Sequence, residues 1–571
     1  MEEVNTIIYS PQMLWKDFES DLPLMETVIS EEPFSSGFIR SVKFLGRDTG
    51  KGRVSIYGVY AFNKPNGKRQ PKGTLLIVQD LYEPINYELI NMYFKQGYNV
   101  LTVDYGGIGD GENFTAYPSN VDFATFKNCE LTLNKVKETA KETCWYEWVA
   151  VMKYALSYLK IQDGVGKIGV LGVRNGSNIG WMLCGTDSRV DCFVSLFGAG
   201  WRAYKGKFKY SVDDDIEKDP ERIRFLAGVE VQAYAQNVVC PVLFQTATNS
   251  PDFDIDRSVD TLLRVHSDDI EASGCLRFNC YAPRLRSVLD KPCMRNVDLF
   301  LAKYLLDFKI AIPFEPKLTF DVKGNEVNAR LSINYTDTKR TKRVSVYVSE
   351  GCLNPAYRDW NMMTELKSPT ETEKNFAYKI KGNAEFLVCF GLVEYKNGIT
   401  VCSKIQYKKI DKVVSRANKL VYSAKDKLSS FSVFDVKKYS SAGLYFCDED
   451  YILTVQGPNE INGVSSKYGL ISYKVNPNFL NLDDSSLVKM DVYCEDDTEL
   501  DLVFMTGDEK GNEAEYFAKI EISGAKVWQN ILVKATDFKS MVGRPIKDYS
   551  SVCAFRIEAE TRCVFNNILM I

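Results

Sequence analysis

The residues best placed to do chemistry form the run Gly172-Val173-Arg174-Asn175-Gly176, inside "GVLGVRNGSN" at 169–178. Two glycines around a tip residue at this spacing describe the sharp turn that lifts an acyl-transfer nucleophile off the end of a strand. Acyl transfer then needs a base to take the nucleophile's proton, an acid to orient the base, and amides to hold the oxyanion. Here the tip is Arg174, which cannot attack a carbonyl. With 37 glycines in 571 residues, about two such pairs arise by chance, so the surrounding elements must carry the motif. The chain has a single histidine, His266, and any histidine-dependent mechanism rests on it. It follows "DTLLRV", a helix end expected outside the sheet, and so reads as a surface residue. Ser177 lies three residues past the tip, in the first helical turn, and reads as a residue capping orphan amides rather than a displaced nucleophile. Asp252, Asp254 and Asp256 in "DFDID" offer acids or metal ligands. Their plainer reading is a solvated loop and helix start, where aspartate favours the helix dipole.

Elements that could position these residues run from about 73 to 306. "GTLLIVQD", "YNVLTVDYG", "KIGVLGV", "VDCFVSLFG", "PVLFQTAT" and "CLRFNCYAP" are short apolar strands. Helical patterns separate them, including an amphipathic one over "CWYEWVAVMKYALSYLK", where Trp148, Val151, Met152 and Ala155 share a face. Near-continuous apolar strands interleaved with helices predict a mostly parallel sheet covered on both faces, over residues 1–312. From 313 to 411 the pattern changes to alternating strands, with a hairpin-turn signal at Asn397-Gly398, and predicts a small antiparallel β-sandwich. Residues 412–429 read as a charged connector, and 430–571 as a second, jelly-roll-like sandwich.

With the elbow between a strand and a helix, and "DYGGIGDGE", "TCWYEWVAVMKYAL" and "PVLFQTATNSPDFDIDRSVDT" in the matching order, residues 40–310 resemble the α/β-hydrolase superfamily. The likeness is to its acetyl xylan esterase, dienelactone hydrolase and acyl-peptidase-like branch. That resemblance implies an α/β-hydrolase sheet, and it also implies where catalytic residues should stand. Arg174 replaces the nucleophile. Asn249 and Ser250 stand at the acid position, Arg284 and Arg286 at the histidine position, and Gln79-Asp80 replaces the His-Gly that shapes the oxyanion hole. Triad members act as a unit, so their joint loss argues against residual triad catalysis. Arg174 over a helix N-terminus, with Arg284 or Arg286 arriving from the last loop and Gln79 nearby, would make a fork for a carboxylate or phosphate. The alternative is that Arg174 pairs with a neighbouring acid and merely fills the old site.

In the middle sandwich, "EGCLNPAYRDWNMM" places Tyr357, Arg358 and Trp360 beside the turn-forming Asn354-Pro355. Exposed, they could bind sugar or protein; buried, they anchor the sandwich. The last domain resembles jelly-roll carbohydrate-binding modules through Trp528, Asp537-Phe538, Asn566 and Asn567, a likeness of architecture before function.

Seventy-one basic and 75 acidic residues give a net charge of −4, with no electrostatic footprint for nucleic acid. Fifteen cysteines without a paired CxxC spacing fit reduced thiols rather than zinc or a disulfide scaffold. No stretch approaches a membrane span and the start lacks a secretory pattern, so the expectation is cytoplasmic, with no cofactor. Three functions remain: a catalytically degenerate hydrolase-fold protein that binds a small-molecule or glycan ligand or assembles with a partner; an esterase or acyl hydrolase with unorthodox residues; and a carbohydrate-binding protein.

Overall fold

The computed structural model describes residues 9–63, 72–109, 111–204, 206–211, 219–265, 277–414, 419–425, 430–434, 452–507 and 512–571. Its largest element is a nine-stranded sheet in the order β1-β2-β3-β5-β4-β6-β7-β8-β9. These strands are β1 Thr27–Phe34, β2 Gly37–Asp48, β3 Arg53–Phe62, β4 Lys72–Val78, β5 Asn99–Val103, β6 Val165–Val173, β7 Cys192–Leu196, β8 Val242–Ala247 and β9 Arg277–Ala282. From β5 to β9 all neighbours are parallel, while β3 pairs antiparallel with β5 and β2. A parallel sheet buried on both faces demands apolar residues at every position, and all five residues of β5 and all five of β7 are buried. This is the α/β-hydrolase strand order, extended by β1 on the antiparallel side. The sequence pattern starts the domain's strands at β4 and misses the β1–β3 extension.

The flanking helices are α1 Pro11–Trp15, α2 Tyr87–Lys95, α3 Cys144–Ile161, α4 Asn175–Cys184, α5 Pro220–Gly228, α6 Val231–Ala235, α7 Ile255–Leu263 and α8 Lys291–Leu305. Asn86, Thr143 and Asp290 cap α2, α3 and α8 by accepting amides of the first turn. The amphipathic reading of α3 is corrected: it is buried on nearly every side, Glu147 and Lys153 included. The segment before β1 covers its outer face, with Trp15 stacked on Tyr146 at 4.5 Å, and Phe44 of β2 stacks on Tyr158 at 4.8 Å. Arg47 of β2 neutralises Glu147, its Nε donating at 2.8 Å.

Two antiparallel sheets follow. One joins β10 Lys317–Lys323, β11 Glu326–Ser332 and β14 Glu373–Lys379; the other joins β12 Thr341–Glu350, β13 Asn361–Lys367, β15 Ala384–Tyr395, β16 Thr400–Cys402 and β17 Gln406–Val413. Gly398, at φ +90°, makes the expected turn between β15 and β16. The middle sandwich shares one continuous apolar core with the α/β domain. The last sandwich has its own. Its first sheet holds β18 Leu420–Tyr422, β20 Leu453–Gln456, β21 Asn462–Ser465, β23 Leu487–Cys494, β26 Gln529–Lys534 and β28 Cys563–Met570. Its second holds β19 Ser432–Phe434, β22 Gly469–Ser472, β24 Thr498–Gly507, β25 Glu513–Ile522 and β27 Val552–Ala559.

The expected connector 412–429 is not a plain spacer: β17 runs on to Val413, and β18 pairs with β28. Val421 and Tyr422 are fully buried there, a short apolar pair hidden in the sequence by its charged flanks.

Candidate functional site

The turn at the tip has the strained backbone of an elbow, with an arginine at the tip. Arg174 joins β6 to α4 at φ +52° and ψ −116°, a region that is costly for any residue with a side chain. The two glycines are dictated by contact: a Cβ on Gly176 would lie 2.2 Å from the Val78 carbonyl oxygen, and one on Gly172 would lie 2.5 Å from Ser177 Cα. Ser177 is completely buried. Its hydroxyl donates to the Gly172 carbonyl at 2.6 Å and accepts the Leu196 amide at 2.9 Å, tying α4 to β6 and β7 rather than capping free amides.

The first amides of α4 are capped from another loop. Asp80, just past β4, accepts the Asn175 backbone amide at 3.1 Å, the Asn175 side-chain amide at 2.9 Å and the Leu81 backbone amide at 2.8 Å, all on Oδ1. An oxyanion hole in this fold is built from the amide after the tip and an amide of the neighbouring strand–helix loop. Here the Asn175 and Leu81 amides both donate to the Asp80 carboxylate. Burial raises the pKa of Asp80, against the opposing pull of Arg174 and the amide bonds.

Arg174 donates from Nη2 to the Ser287 carbonyl at 2.8 Å and from Nη1 to Asp252 at 3.5 Å, and stands 5.0 Å over the Phe197 ring. Its Nε lies 3.9 Å from Asp80 Oδ2 and makes no hydrogen bond among the described residues. The tip arginine therefore meets two acids, each loosely.

Beside it lies a cavity of about 260 Å³ lined by Asp80, Arg174, Arg202, Tyr204, Asp252 and the Asn354–Ala356 turn of the middle sandwich. Arg202 carries no signal in the sequence, because it opens a single short 3-10 turn in the loop after β7. That loop is pinned by Glu230, which accepts the Trp201 amide at 2.8 Å and the Ala203 amide at 2.6 Å. Arg202 donates to two neutral acceptors, the side-chain carbonyls of Asn175 at 2.5 Å and Asn134 at 3.2 Å, and burial lowers its pKa. Asp254, also in the cavity lining, caps α7 and accepts the Asp256 amide at 2.8 Å; burial, with the Asp256 charge beside it, pushes its pKa up to about 7.

The structure does not bring Arg284 or Arg286 to this cavity. After β9 the chain turns through φ +66° at Arg284, whose Nη1 donates to Asp359 at 3.0 Å and to the Trp360 carbonyl at 2.6 Å. Arg286 donates to the Ala356 carbonyl at 3.1 Å and lies between Tyr357 and Phe434. The loop carrying both faces the two sandwiches, so the expected fork with Arg174 does not form. Asn249 likewise turns away, its amide donating to the Arg358 carbonyl at 2.8 Å and the Ala356 carbonyl at 3.3 Å. Ser250 lines the cavity. Gln79 is buried outside it, donating to the Val103 carbonyl at 3.4 Å.

Asp256 corrects the solvated-loop reading of "DFDID". It holds Arg358 in a two-pronged pair at 2.8 and 2.6 Å, the side chains 1% and 0% exposed. Burial opposes the Arg358 charge, but the Asp256 carboxylate outweighs it and lifts the pKa above the usual arginine value. Tyr357 and Trp360 are buried too, so "PAYRDW" is an internal docking segment. In the last sandwich, Trp528 is half-buried and donates to the Pro458 carbonyl at 3.1 Å, while Phe538 stacks on Phe504 at 4.1 Å. Asp537 accepts the Lys534 amide at 3.2 Å, Asn566 accepts the Ala424 amide at 2.8 Å, and Asn567 donates to Asp491 at 2.6 Å. His266 lies outside the described residues. Among the described residues, no helix is long and apolar enough to cross a membrane.

No family model and no curated protein matches the chain. Among solved structures, acetyl xylan esterase 1 from Thermoanaerobacterium sp. JW/SL YS485 is similar at 15% identity and a TM-score of 0.39, covering 54% of this chain and 96% of that one. An acetyl xylan esterase from Paenibacillus sp. R4 is similar at 14% identity and a TM-score of 0.36, covering 52% and 92%. Est1E from Butyrivibrio proteoclasticus is similar at 12% identity and a TM-score of 0.31, covering 46% and 98%.

Proposed function

We propose that this chain is a catalytically degenerate α/β-hydrolase-fold protein that binds a small molecule in the elbow cavity without acyl transfer. One observation carries the reading: the Asp80 carboxylate accepts both amides where an oxyanion would sit, while Arg174 occupies the nucleophile's position. A substrate carbonyl entering this slot meets a negative charge in place of free donors, the reverse of what an acyl-transfer transition state needs. The loops that would bring an acid and a base are committed elsewhere, through Asn249, Arg284 and Arg286. The thirteen described cysteines are all free and buried, which supports a reducing, cytoplasmic setting.

Hydrolysis of p-nitrophenyl acetate and butyrate tests the reading against an Arg174→Ala control. The expected result is release at the blank rate for both proteins. Turnover well above the blank that disappears in Arg174→Ala overturns it in favour of an esterase with unorthodox residues.

A further inference from the structure

We infer that the elbow cavity is a site for a small carboxylate, and that Asp80 holds its anion slot as a tethered competitor. The inference rests on the non-catalytic reading above and names the ligand class. The first argument is chemical: the slot already accepts a carboxylate, bound by the Asn175 and Leu81 amides at the positive end of the ten-residue helix α4.

The second argument is geometric. Asp80 reaches the amides with Oδ1, but its Oδ2 stops 3.9 Å from Arg174 Nε, too far for a hydrogen bond. That Nε–H is buried and has no acceptor among the described residues, and Arg174 is 8% exposed. A carboxylate free of the Asp80 backbone can place one oxygen on the amides and the other on Arg174 Nε, forming the charge-assisted bond that the tether prevents. Arg202 adds a second guanidinium to the lining of the same cavity, bonded to the neutral Asn175 and Asn134. Asp80 lines the cavity and keeps 15% of its side chain exposed, so an incoming anion meets it directly. A tethered competitor lowers the apparent affinity of a free ligand by the fraction of time it fills the slot.

The test is calorimetric titration of sodium acetate and sodium lactate at pH 7 into the full chain, with sodium chloride at matched ionic strength as the reference. Asp80→Ala is expected to bind acetate about 10-fold or more tighter than the wild type, the scale of one charge-assisted hydrogen bond gained. Asp80→Asn keeps the shape and the acceptor, and is expected to gain less than Asp80→Ala. Adding Arg174→Gln to Asp80→Ala should remove the gain. Thermal melts of the same variants read the result independently: acetate raises the midpoint of Asp80→Ala and leaves the wild type nearly unmoved. Equal acetate affinity in wild type and Asp80→Ala overturns the inference, as does a gain that survives Arg174→Gln. Ester turnover would instead overturn the non-catalytic reading, so the two failures are told apart.

Discussion

At the elbow, Arg174 meets its two carboxylates at 3.5 and 3.9 Å beside a cavity. Where the middle sandwich meets the α/β domain, Arg358 meets Asp256 at 2.6 and 2.8 Å with both side chains out of solvent. The first region is loosely paired and polar. The second is buried, and each of its arginines is answered by an acid or a carbonyl across the seam: Arg358 by Asp256 of α7, Arg284 by Asp359 and the Trp360 carbonyl, Arg286 by the Ala356 carbonyl. The elbow's backbone is fixed by the close joint of β6, α4 and β4. The loops after β8 and β9 instead turn Asn249, Arg284 and Arg286 into the seam on which the middle sandwich docks.

The largest break in this comparison is Arg358→Ala. It leaves Asp256 buried and unpaired, and removing one partner of a buried pair costs about 3–5 kcal/mol. Chemical denaturation should show that loss, and the double substitution Arg358→Leu with Asp256→Leu should recover much of it, because two apolar groups leave no uncompensated charge. Recovery absent from the double variant would mean that "PAYRDW" is held by packing alone.

Asn249→Asp is the next test, because it puts an acid into the loop after β8. The amide now donates to the Arg358 and Ala356 carbonyls, and a carboxylate there would face acceptors with nothing to donate. A buried group stripped of its partner costs about 1–3 kcal/mol, and hydrolase activity should stay at the blank. A stable Asn249→Asp protein would show that the seam tolerates the acid and does not depend on the Asn249 amide bonds.

How far these regions could be read in the sequence follows the same division. Gly172 and Gly176 were legible because close contact of strand and helix leaves glycine alone at both positions. The parallel strands were legible as apolar runs, since they are buried on both faces. β2, by contrast, is half-buried over its first five residues, alternates buried with half-buried ones only from Val42 to Arg47, and carries Arg40, Lys43 and Arg47, so it lacks the apolar run that marks its neighbours. The role of Asp80 was not legible, because its main partner lies 95 residues away at Asn175. Nor was the direction of Arg284 and Arg286. The sequence placed them correctly after the last strand, but the φ of +66° that turns that loop toward the sandwiches is a tertiary choice. Arg358 and Asp256 were each noticed separately, with no local signal that they would meet.

The smallest expected effect separates the two regions most sharply, because it concerns backbone strain. Replacing Arg174 by alanine removes the Ser287 bond, the Phe197 contact and two long ion pairs, while keeping a Cβ at φ +52° and ψ −116°. Replacing it by glycine removes the same contacts and the Cβ as well. Glycine ordinarily costs about 0.5–1 kcal/mol against alanine through the freedom it loses on folding, whereas a strained non-glycine conformation costs about 1–3 kcal/mol. At the elbow the second quantity exceeds the first, so Arg174→Gly should be more stable than Arg174→Ala by about 1 kcal/mol, reversing the usual order. At Arg358, where the residue following the short helical turn has an extended φ of −67° and ψ of 127°, the same pair of substitutions should keep the usual order, alanine above glycine. Denaturation midpoints of the four variants decide it. The usual order at both positions would mean that the elbow stores no strain, and that contacts alone hold the turn at Arg174.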